Sequence, residues 1–380
     1  MVNKVKINFI TSESRERTSG GWSGLSFNIF SHLEARRELQ INYVGPIYPP
    51  VSRLAKLVSK TCRVLGGKGR FFAFSEGRLQ RVRRQVETAR IPVDYDFFLG
   101  VTPWVRCRFA PPYGAYLDAC FRTYFENNLP TREFSATDIR RIESAEKAWL
   151  EDARPIFWAS AWSRDQAVRH YGLASGNHEV VGIGGNLEVP AADTYTSGAG
   201  FIFIAQNFAL KGGPIACTAL QTVRRKYPEA TLTILGQEPP AEWLRLPGIH
   251  YAGYFRKSVP AELARFRALL AESFCLLHPT QSDMVPQVII ETAYFGAPAI
   301  APKRFAIPEL IRDRQTGVLV EAGFTAADFA REMLWLLDDA ARYREIRRAA
   351  RDHSTTRFTF ASVTRKIVTC VAAATVERRS

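Results

Sequence analysis

The sequence lacks the marks of several protein classes. Its six cysteines form no Cys-x-x-Cys pair, its six histidines show no metal-ligand spacing, and no internal repeat or low-complexity tract is present. No run of about 18 apolar residues predicts a membrane-spanning helix. The amino-terminal MVNKVKINFI predicts a strand rather than a signal peptide. We therefore expect a cytoplasmic protein without a metal centre, in which several cysteines are small buried side chains.

The sequence does contain enough apolar residues for two cores. The chain has 380 residues, 46% hydrophobic and 23% charged, which is an ordinary globular composition. Apolar runs alternate with helical patterns, which favours two doubly wound Rossmann-like α/β domains facing across a cleft. We predict a first domain over 1–188, a linker over 189–200 and a second domain over 201–360. The final helix, 361–380, is expected to cross back to the first domain.

The division into two domains is based on predicted strands, helices and a linker. In the first half we predict strands at Val5–Ile10, Ile41–Val44, Phe97–Val101, Ile156–Ala159 and Glu179–Ile183. The segment Glu188–Gly200 is short, weakly periodic and rich in Pro, Gly, Ser and Thr, as linkers are. The second half repeats the strand–helix alternation, and two long helices, Ala326–Ala350 and Ala361–Val376, are predicted to end the chain.

Positive charge is in excess and is partly concentrated. The net charge is +14, and the segment 51–90 holds eleven Lys and Arg residues against Glu76 and Glu87. Apolar residues alternate with them, namely Leu54, Leu57, Val58, Val64, Leu65, Phe71, Phe72 and Phe74. Two interpretations have similar weight: a solvated helical face, or docking to an anionic partner such as a membrane surface. No motif supports nucleic acid as the partner.

The most informative stretch is FCLLHPTQSDMVPQVIIETAYFGAP, from Phe274 to Pro298. It predicts a buried strand, a polar loop with Asp283, and a helix that opens near Pro286 and carries Glu291. Strand ends of open parallel sheets bind ligands, and free N–H groups at a helix start attract phosphate or sugar oxygens. Glu291 lies in the apolar run VIIETA, where an ionisable group needs a partner, and ribose hydroxyls would supply one.

A lysine in the preceding strand–loop suits the same ligand. The segment FIFIAQNFALKGG places Lys211 at the end of a loop, next to Gly212 and Gly213. A lysine there can offset the charge of a pyrophosphate, and glycines permit close backbone approach. The alternative is an exposed loop lysine with no ligand.

These residues resemble the GT-B glycosyltransferases of the large retaining family four, also called glycosyl transferases group 1. The resemblance is based on four segments: Asp283-x7-Glu291 with Gly296-Ala297-Pro298, the FIAQNFALKGG loop, LTILG and AIPELIRDRQTGVLV. SGGWSG and VVGIGGN in the first half are weaker matches. The resemblance implies donor binding by Glu291 (ribose), Lys211 (diphosphate), Asp283 with the backbone of Val285, Pro286, Gln287 and Val288 (sugar), Gly20 and Gly21 (phosphates), Gln206 and Asn207 (donor loop), and Tyr254 (base).

The sequence departs from the family pattern at three positions. Asp283 stands where Glu is commoner, Gln206 where the donor loop often has Arg, and Leu210 where another basic residue is common. Either Lys211 neutralises the diphosphate alone, or Arg304 or another arginine compensates. In the first half, Asp118 stands where the family has a histidine near the reacting sugar, with Thr102 on the preceding strand end; the alternative role for Asp118 is a helix N-cap.

The resemblance therefore implies a retaining glycosyltransferase. It would move a sugar from a UDP- or GDP-linked donor to a glycan or lipid-linked acceptor in cell-envelope polysaccharide or glycolipid synthesis. No metal ion or other cofactor is expected, and the enzyme would be cytoplasmic, with 51–90 at the inner membrane face. The alternatives are a phosphorylase or a sugar-nucleotide epimerase of the same fold, or a non-catalytic sugar-nucleotide-binding protein.

Overall fold

The computed structural model describes residues 4–16, 21–65, 67–110, 112–129 and 133–376. The chain divides into two compact units. The first comprises Met1–Gly182 and Val363–Ser380, and the second comprises Ile183–Ser362. Each unit has its own six-stranded sheet, so each can be described by itself.

The sheet of the first unit is wholly parallel, with the strand order β2-β1-β3-β4-β5-β6. Its strands are β1 (Val5–Ile10), β2 (Leu39–Val44), β3 (Tyr95–Leu99), β4 (Tyr113–Leu117), β5 (Ile156–Trp158) and β6 (His178–Val180). Every residue of β3, β4 and β5 is buried. Helices on both faces of a parallel sheet produce such continuous burial.

The helices of this unit alternate with its strands. They are α1 (Gly21–Glu34), α2 (Arg53–Val64), α3 (Glu76–Ala89), α4 (Phe121–Asn128), α5 (Ala136–Asp152) and α6 (Ala161–Tyr171). Local chemistry sets the ends of α6: the Ser160 side chain accepts from the N–H of Ser163, and Gly172 ends the helix with a φ of 61°.

Strand β4 is absent from the sequence prediction. Its residues, YGAYL, contain Gly114 and follow prolines, which are signals of a turn. The glycine is required by packing, because a Cβ there would lie 1.9 Å from the carbonyl oxygen of Pro155. A close approach between neighbouring strands therefore explains a residue that looks like a strand breaker.

The second sheet is also parallel, with the order β12-β11-β10-β7-β8-β9. Its strands are β7 (Gly200–Ala205), β8 (Thr231–Gly236), β9 (Ile249–Gly253), β10 (Cys275–Leu277), β11 (Ala299–Pro302) and β12 (Val318–Val320). The helices of this unit are α7 (Gly213–Val223), α8 (Ala241–Leu244), α9 (Pro260–Ala271), α10 (Gln287–Tyr294), α11 (Ile307–Leu310), α12 (Ala326–Leu337) and α13 (Ala340–Arg357). The last helix, α14 (Phe360–Val376), belongs to the first unit from Val363 onward. The predicted doubly wound α/β class is confirmed.

The single helix predicted over Ala326–Ala350 is wrong. Two helices occupy that range, and the chain turns at Asp338 and Asp339 between them. The Asp339 carboxylate accepts from the N–H groups of Ala341 and Arg342, each at 3.0 Å. An aspartate that caps a new helix start stabilises a break that apolar periodicity does not register.

The segment predicted as a linker has no helix or strand before Gly200, but it is anchored to its own unit. Asp193 pairs with Arg347 of α13 at 2.6 Å. The same buried guanidinium donates to the carbonyl oxygens of Ser273 and Phe295, at 2.9 and 2.7 Å. One arginine therefore ties the segment to α13, to the start of β10 and to the end of α10.

Helix α2 places its apolar residues outward. Ser52, Ala55, Ser59 and Cys62 are its buried or half-buried residues, whereas Leu54, Leu57, Val58, Val64 and Leu65 are exposed. Phe71, which the sequence grouped with this apolar surface, instead packs in a cluster with Phe121, Phe125 and Phe134. The exposed apolar surface of segment 51–90 is therefore narrower than predicted.

One stretch, Ala340–Val376, meets the length and composition of a membrane span. Within its most apolar window, 44% is buried inside the protein. Tyr343 and Ile346 of α13 belong to the core of the second unit. Core helices of soluble domains pass the same test, so the composition of this stretch carries no argument for a span.

Candidate functional site

Two loops meet at the carboxyl ends of β7 and β10 in the second unit. Lys211 lies in the loop after β7, and Asp283 lies in the loop after β10. The Lys211 Nζ is 2.9 Å from an Asp283 carboxylate oxygen, and both side chains are about a quarter exposed, at 24% and 28%. The structure thus brings together two residues that are 72 positions apart in the sequence.

The Asp283 carboxyl is held in its charged form. Burial alone would raise its pKa, but hydrogen bonding and charge from His278 and Lys211 outweigh burial and lower the pKa to about 2. The His278 Nε2 lies 3.5 Å from the same carboxylate oxygen. The imidazole is buried, and its Nδ1 has no hydrogen-bond partner among the described residues. His278 is a residue of this site that the sequence analysis did not single out.

The glycines beside Lys211 serve packing between the two loops. Gly212 has a φ of 82°, and a Cβ on it would lie 2.2 Å from the carbonyl oxygen of Pro279. A Cβ on Gly213 would lie 2.2 Å from the ring of Phe208. The predicted close approach is therefore to other parts of the protein, and it brings the Lys211 loop against the loop that carries Asp283.

Glu291 on α10 is almost fully buried and has two partners within the chain. The Lys257 Nζ is 2.7 Å from each carboxylate oxygen, and the N–H of Asn186 donates to Oε1 at 2.9 Å. The Glu291 side chain is 2% exposed, whereas that of Lys257 is 23% exposed. Ribose hydroxyls were the predicted partners; in this structure Lys257 stands between Glu291 and solvent.

A glycine-rich segment packs along the same helix. The N–H of Gly185 donates to the Tyr294 hydroxyl at 3.0 Å, and the Asn186 side chain donates to Gln287 Oε1 at 2.9 Å. Gln287 in turn donates to the carbonyl oxygen of Gly184 at 2.6 Å. The residues GGN, which end the VVGIGGN match, therefore order the face of α10 that carries Glu291.

The start of α10 has the predicted position. Pro286 is the N-cap residue, and no side chain caps the first turn. Val285, Gln287 and Val288 are half-buried there. Such a helix start offers backbone N–H groups and a positive end of the helix dipole to an anion or a sugar hydroxyl.

The remaining donor-side residues are at neighbouring strand ends. Gln206 and Asn207 follow β7 and are exposed, and the Asn207 side chain accepts from the N–H of Leu210 at 2.9 Å. Tyr254 directly follows β9 and is 57% exposed. Their roles in binding a donor stay predictions.

The predicted residues of the first unit have separate positions. Gly20 lies outside the described residues, and Gly21 is the first residue of α1. Asp118 directly follows β4 and is half-buried. It is not the N-cap of α4, since that residue is Cys120, so the N-cap alternative is wrong.

Lys257, Asn186 and His278 are site residues that sequence reasoning missed. Lys257 follows β9 and lies three residues beyond Tyr254, so its place after a strand end was an available signal. Nothing in the sequence indicated the contact between Asn186 and Glu291, because the two residues are 105 positions apart. Among the described residues, no group of three His, Cys, Asp or Glu side chains is arranged to hold a metal ion.

Comparison with known proteins finds a family match within the second unit. Residues 199–339 match the family described as glycosyl transferases group 1. A glycogen synthase of Mycobacterium tuberculosis is 26% identical over 238 residues, which cover 59% of this chain and 55% of that protein. The chain thus spans about half the length of this relative.

Solved structures with the same fold cover the whole chain. Sucrose-phosphate synthase from Thermosynechococcus elongatus has a TM-score of 0.67 at 14% identity, over 99% of this chain and 100% of that one. Anabaena HepE in complex with UDP has a TM-score of 0.64 at 14% identity, over 97% and 100%. WaaG, a glycosyltransferase involved in lipopolysaccharide biosynthesis, has a TM-score of 0.64 at 13% identity, over 95% and 98%. The two doubly wound units are therefore those of the GT-B fold, and the second unit carries the match to the group 1 glycosyltransferases.

Proposed function

We propose that the protein transfers a sugar from a nucleotide diphosphate sugar to an acceptor hydroxyl, with retention of configuration at the anomeric carbon. The observation that carries this proposal is the pairing of two lysines with two carboxylates beside the start of α10. Lys211 pairs with Asp283, and Lys257 pairs with Glu291. Together with the uncapped helix start, these groups are suited to a ligand with phosphates at one end and hydroxyls at the other.

Each group has a role that its chemistry supports. Lys211 offsets the negative charge that develops on the leaving diphosphate. Asp283, ionised at neutral pH, accepts hydrogen bonds from the hydroxyls of the transferred sugar. Glu291 accepts from the ribose once Lys257 has moved, and Tyr254 contacts the base. Lys257 then supplies a second cation near a loop in which Gln206 is neutral.

The proposed step needs no cofactor. The acceptor oxygen bonds to the anomeric carbon on the face that the diphosphate leaves, while the bond from that carbon to the β-phosphate oxygen breaks. The acceptor proton passes to the departing phosphate oxygen, and Asp118 accepts a hydrogen bond from the acceptor. No protein nucleophile is assigned.

Binding and turnover test the proposal separately. We expect UDP or GDP to raise the melting temperature of the wild type, because a ligand that binds only the folded state stabilises it. The shift should shrink in Lys211→Met, and it should persist in Lys226→Met, which removes a lysine from the exposed pair with Asp338.

Four outcomes separate the candidate functions. Transfer to acceptors in a lipid or glycan extract, with release of the nucleoside diphosphate, supports the transferase. Donor breakdown that depends on inorganic phosphate would indicate a phosphorylase, and change of the donor sugar without an acceptor would indicate an epimerase. Tight nucleotide binding with no turnover of any donor would leave a binding protein and would refute the proposed activity.

We also propose that α2 docks to an anionic membrane surface, from the side of a reducing, cytoplasmic compartment. Leu54, Leu57, Val58 and Leu65 recur at helical spacing on its exposed face. Arg53, Lys56 and Lys60 are exposed on the same helix, and no carboxylate pairs with them among the described residues. An outward apolar stripe with adjacent cations fits lipid tails and anionic headgroups better than it fits water.

Vesicle flotation tests this surface. We expect wild type to bind vesicles that contain phosphatidylglycerol, to bind pure phosphatidylcholine weakly, and to lose binding as salt rises. The double variant Leu54→Ser/Leu57→Ser should bind less, and the control Ile91→Ser/Val189→Ser, at other exposed apolar sites, should bind like wild type. Equal binding to both vesicle types, or equal binding of both double variants, contradicts the proposal.

A further inference from the structure

A cavity of about 210 Å³ lies in the first unit at the carboxyl ends of β1, β3 and β4. Its walls are mostly apolar, and aromatic rings from three different segments contribute to them: Trp22, Phe71, Phe74, Phe121 and Tyr124. This is the sheet edge at which open parallel α/β units bind ligands. No residue with a role proposed above lies in the cavity except Asp118.

The polar groups of the cavity are few. Ser12, Thr102 and Asp118 contribute polar side chains to a lining that is otherwise apolar, apart from a cysteine and the Tyr124 hydroxyl. A bare sugar would need hydrogen-bond partners for most of its hydroxyls when buried. Apolar walls with a few polar groups are instead typical of sites for ligands with an apolar body.

The cavity is framed by a buried carboxyl group. Glu146 of α5 is fully buried and lies behind the lining: it accepts from the N–H of Phe121 at 3.1 and 3.2 Å and from the Thr102 hydroxyl at 3.4 Å. Phe121 follows β4, and Thr102 follows β3. One side chain therefore fixes the two loops that form most of the walls, which keeps the space open in the absence of a ligand.

The size of the cavity limits what it can hold. An apolar cavity of about 150 Å³ in another protein accommodates benzene, whereas complete ligand sites measure about 300 Å³ or more. The present cavity exceeds the first value and falls short of the second. It has room for one ring or a short chain, that is, for part of a ligand.

We propose that this cavity binds an apolar group, an aromatic ring or a short alkyl segment, that is covalently part of the acceptor. The assignment to the acceptor rests on the proposed function, in which the donor belongs to the second unit. The acceptor would then be an amphiphile, such as a lipid-linked sugar or an aryl glycoside, rather than a free polysaccharide. Binding of the apolar group by itself does not depend on transferase activity.

Fluorine-detected NMR with para-fluorobenzyl alcohol tests the cavity directly. We expect the wild type to broaden the probe signal and octanol to restore it by competition. Ala119→Trp fills the cavity from its lining, and Tyr124→Asp places a charge at a lining position that is 50% exposed. Ala89→Trp and Ile91→Asp make the same changes at exposed positions of the first unit outside the lining.

The two cavity variants should weaken probe binding about tenfold or more, which corresponds to a loss of roughly 1.4 kcal/mol, and the two controls should not. No broadening by wild type, or equal broadening by cavity and control variants, overturns the proposal. The UDP melting shift, measured on the same samples, reports the second unit. If that shift is absent, the donor site fails on its own while the cavity result still stands.

A substrate comparison completes the test. Aryl glycosides should be better acceptors than the corresponding methyl glycosides for the wild type, and Ala119→Trp should reduce that preference through KM. Equal use of both acceptor types by active wild type would contradict an apolar subsite without contradicting sugar transfer.

Discussion

The two units share one architecture and differ in what lies at the ends of their strands. In the first unit, aromatic rings and the carboxylate of Asp118 line a cavity at this edge. In the second unit, the edge carries two lysine–carboxylate pairs and a buried histidine. Both sheets have six strands and are parallel. The loops after the strands therefore decide the chemistry, and the same scaffold can serve an apolar ligand on one unit and an anionic ligand on the other.

Among the changes considered, removal of the Lys211 charge at the strand ends of the second unit should have the largest effect on activity. We expect Lys211→Met to lower transfer about 100-fold to 1,000-fold, since loss of one preorganised group that stabilises developing charge has effects of that size. Steady-state kcat with a saturating donor measures the loss. Lys226→Met is the matched control, and an equal loss in both variants would show that Lys211 has no special role.

Separation of the Lys257–Glu291 pair should cost stability. We expect Lys257→Met to lower the free energy of unfolding by about 3 kcal/mol, because it leaves the Glu291 carboxylate buried beside a neutral side chain. Urea unfolding at neutral pH measures this. The double variant Lys257→Met/Glu291→Gln should recover most of the loss; if it is as unstable as the single variant, the ion pair is not the cause.

The contribution of Glu146, which is buried behind the cavity of the first unit, to the free energy of unfolding should depend on pH. Burial raises the pKa of Glu146 to about 8, because its effect is larger than that of the hydrogen bonds from Phe121 and Thr102, which lower the pKa. The folded state therefore holds a proton that the unfolded state releases near its ordinary pKa, so stability falls as pH rises from about 4.5 to 8.

Comparison of the wild type with Glu146→Gln isolates this contribution. Relative to the wild type, the variant should gain stability as pH rises between those values, on the order of 3 to 5 kcal/mol, by urea unfolding. A constant difference between the two proteins across this range would show that Glu146 is not protonated in the fold.

The contribution of Asp283 in the second unit to stability should depend on pH in the opposite direction, with a smaller effect. The pKa of Asp283 is lowered to about 2, so its contribution to stability is complete above its ordinary pKa of 3.8 and is lost as pH falls towards 2. We expect Asp283→Asn to lose about 1 to 2 kcal/mol at pH 7 and to approach the wild type in acid. A loss that persists unchanged at pH 2 would instead indicate a packing defect.

Sequence reasoning was most successful where apolar runs are uninterrupted. Strand β5, predicted over Ile156–Ala159, is a continuous apolar run, and its observed bounds, Ile156–Trp158, differ from the prediction by one residue. Strand β4 was missed because Gly114 and the preceding prolines look like a turn. The break at Asp338 and Asp339 was missed because a helix cap depends on one hydrogen-bonding side chain, which apolar periodicity does not register.

By itself, the sequence determined the α/β class and the placement of Lys211, Asp283, Gln206 and Tyr254 after strands, because both follow from local periodicity and strand-end position. Only the tertiary structure decided which of these residues meet. Lys257 and Glu291 are 34 positions apart, and Asn186 and Glu291 are 105 apart. Periodicity places a residue on an element, but contact between elements depends on how their faces pack. That is why the partner of the most buried acid in the site could not be identified before the fold was known.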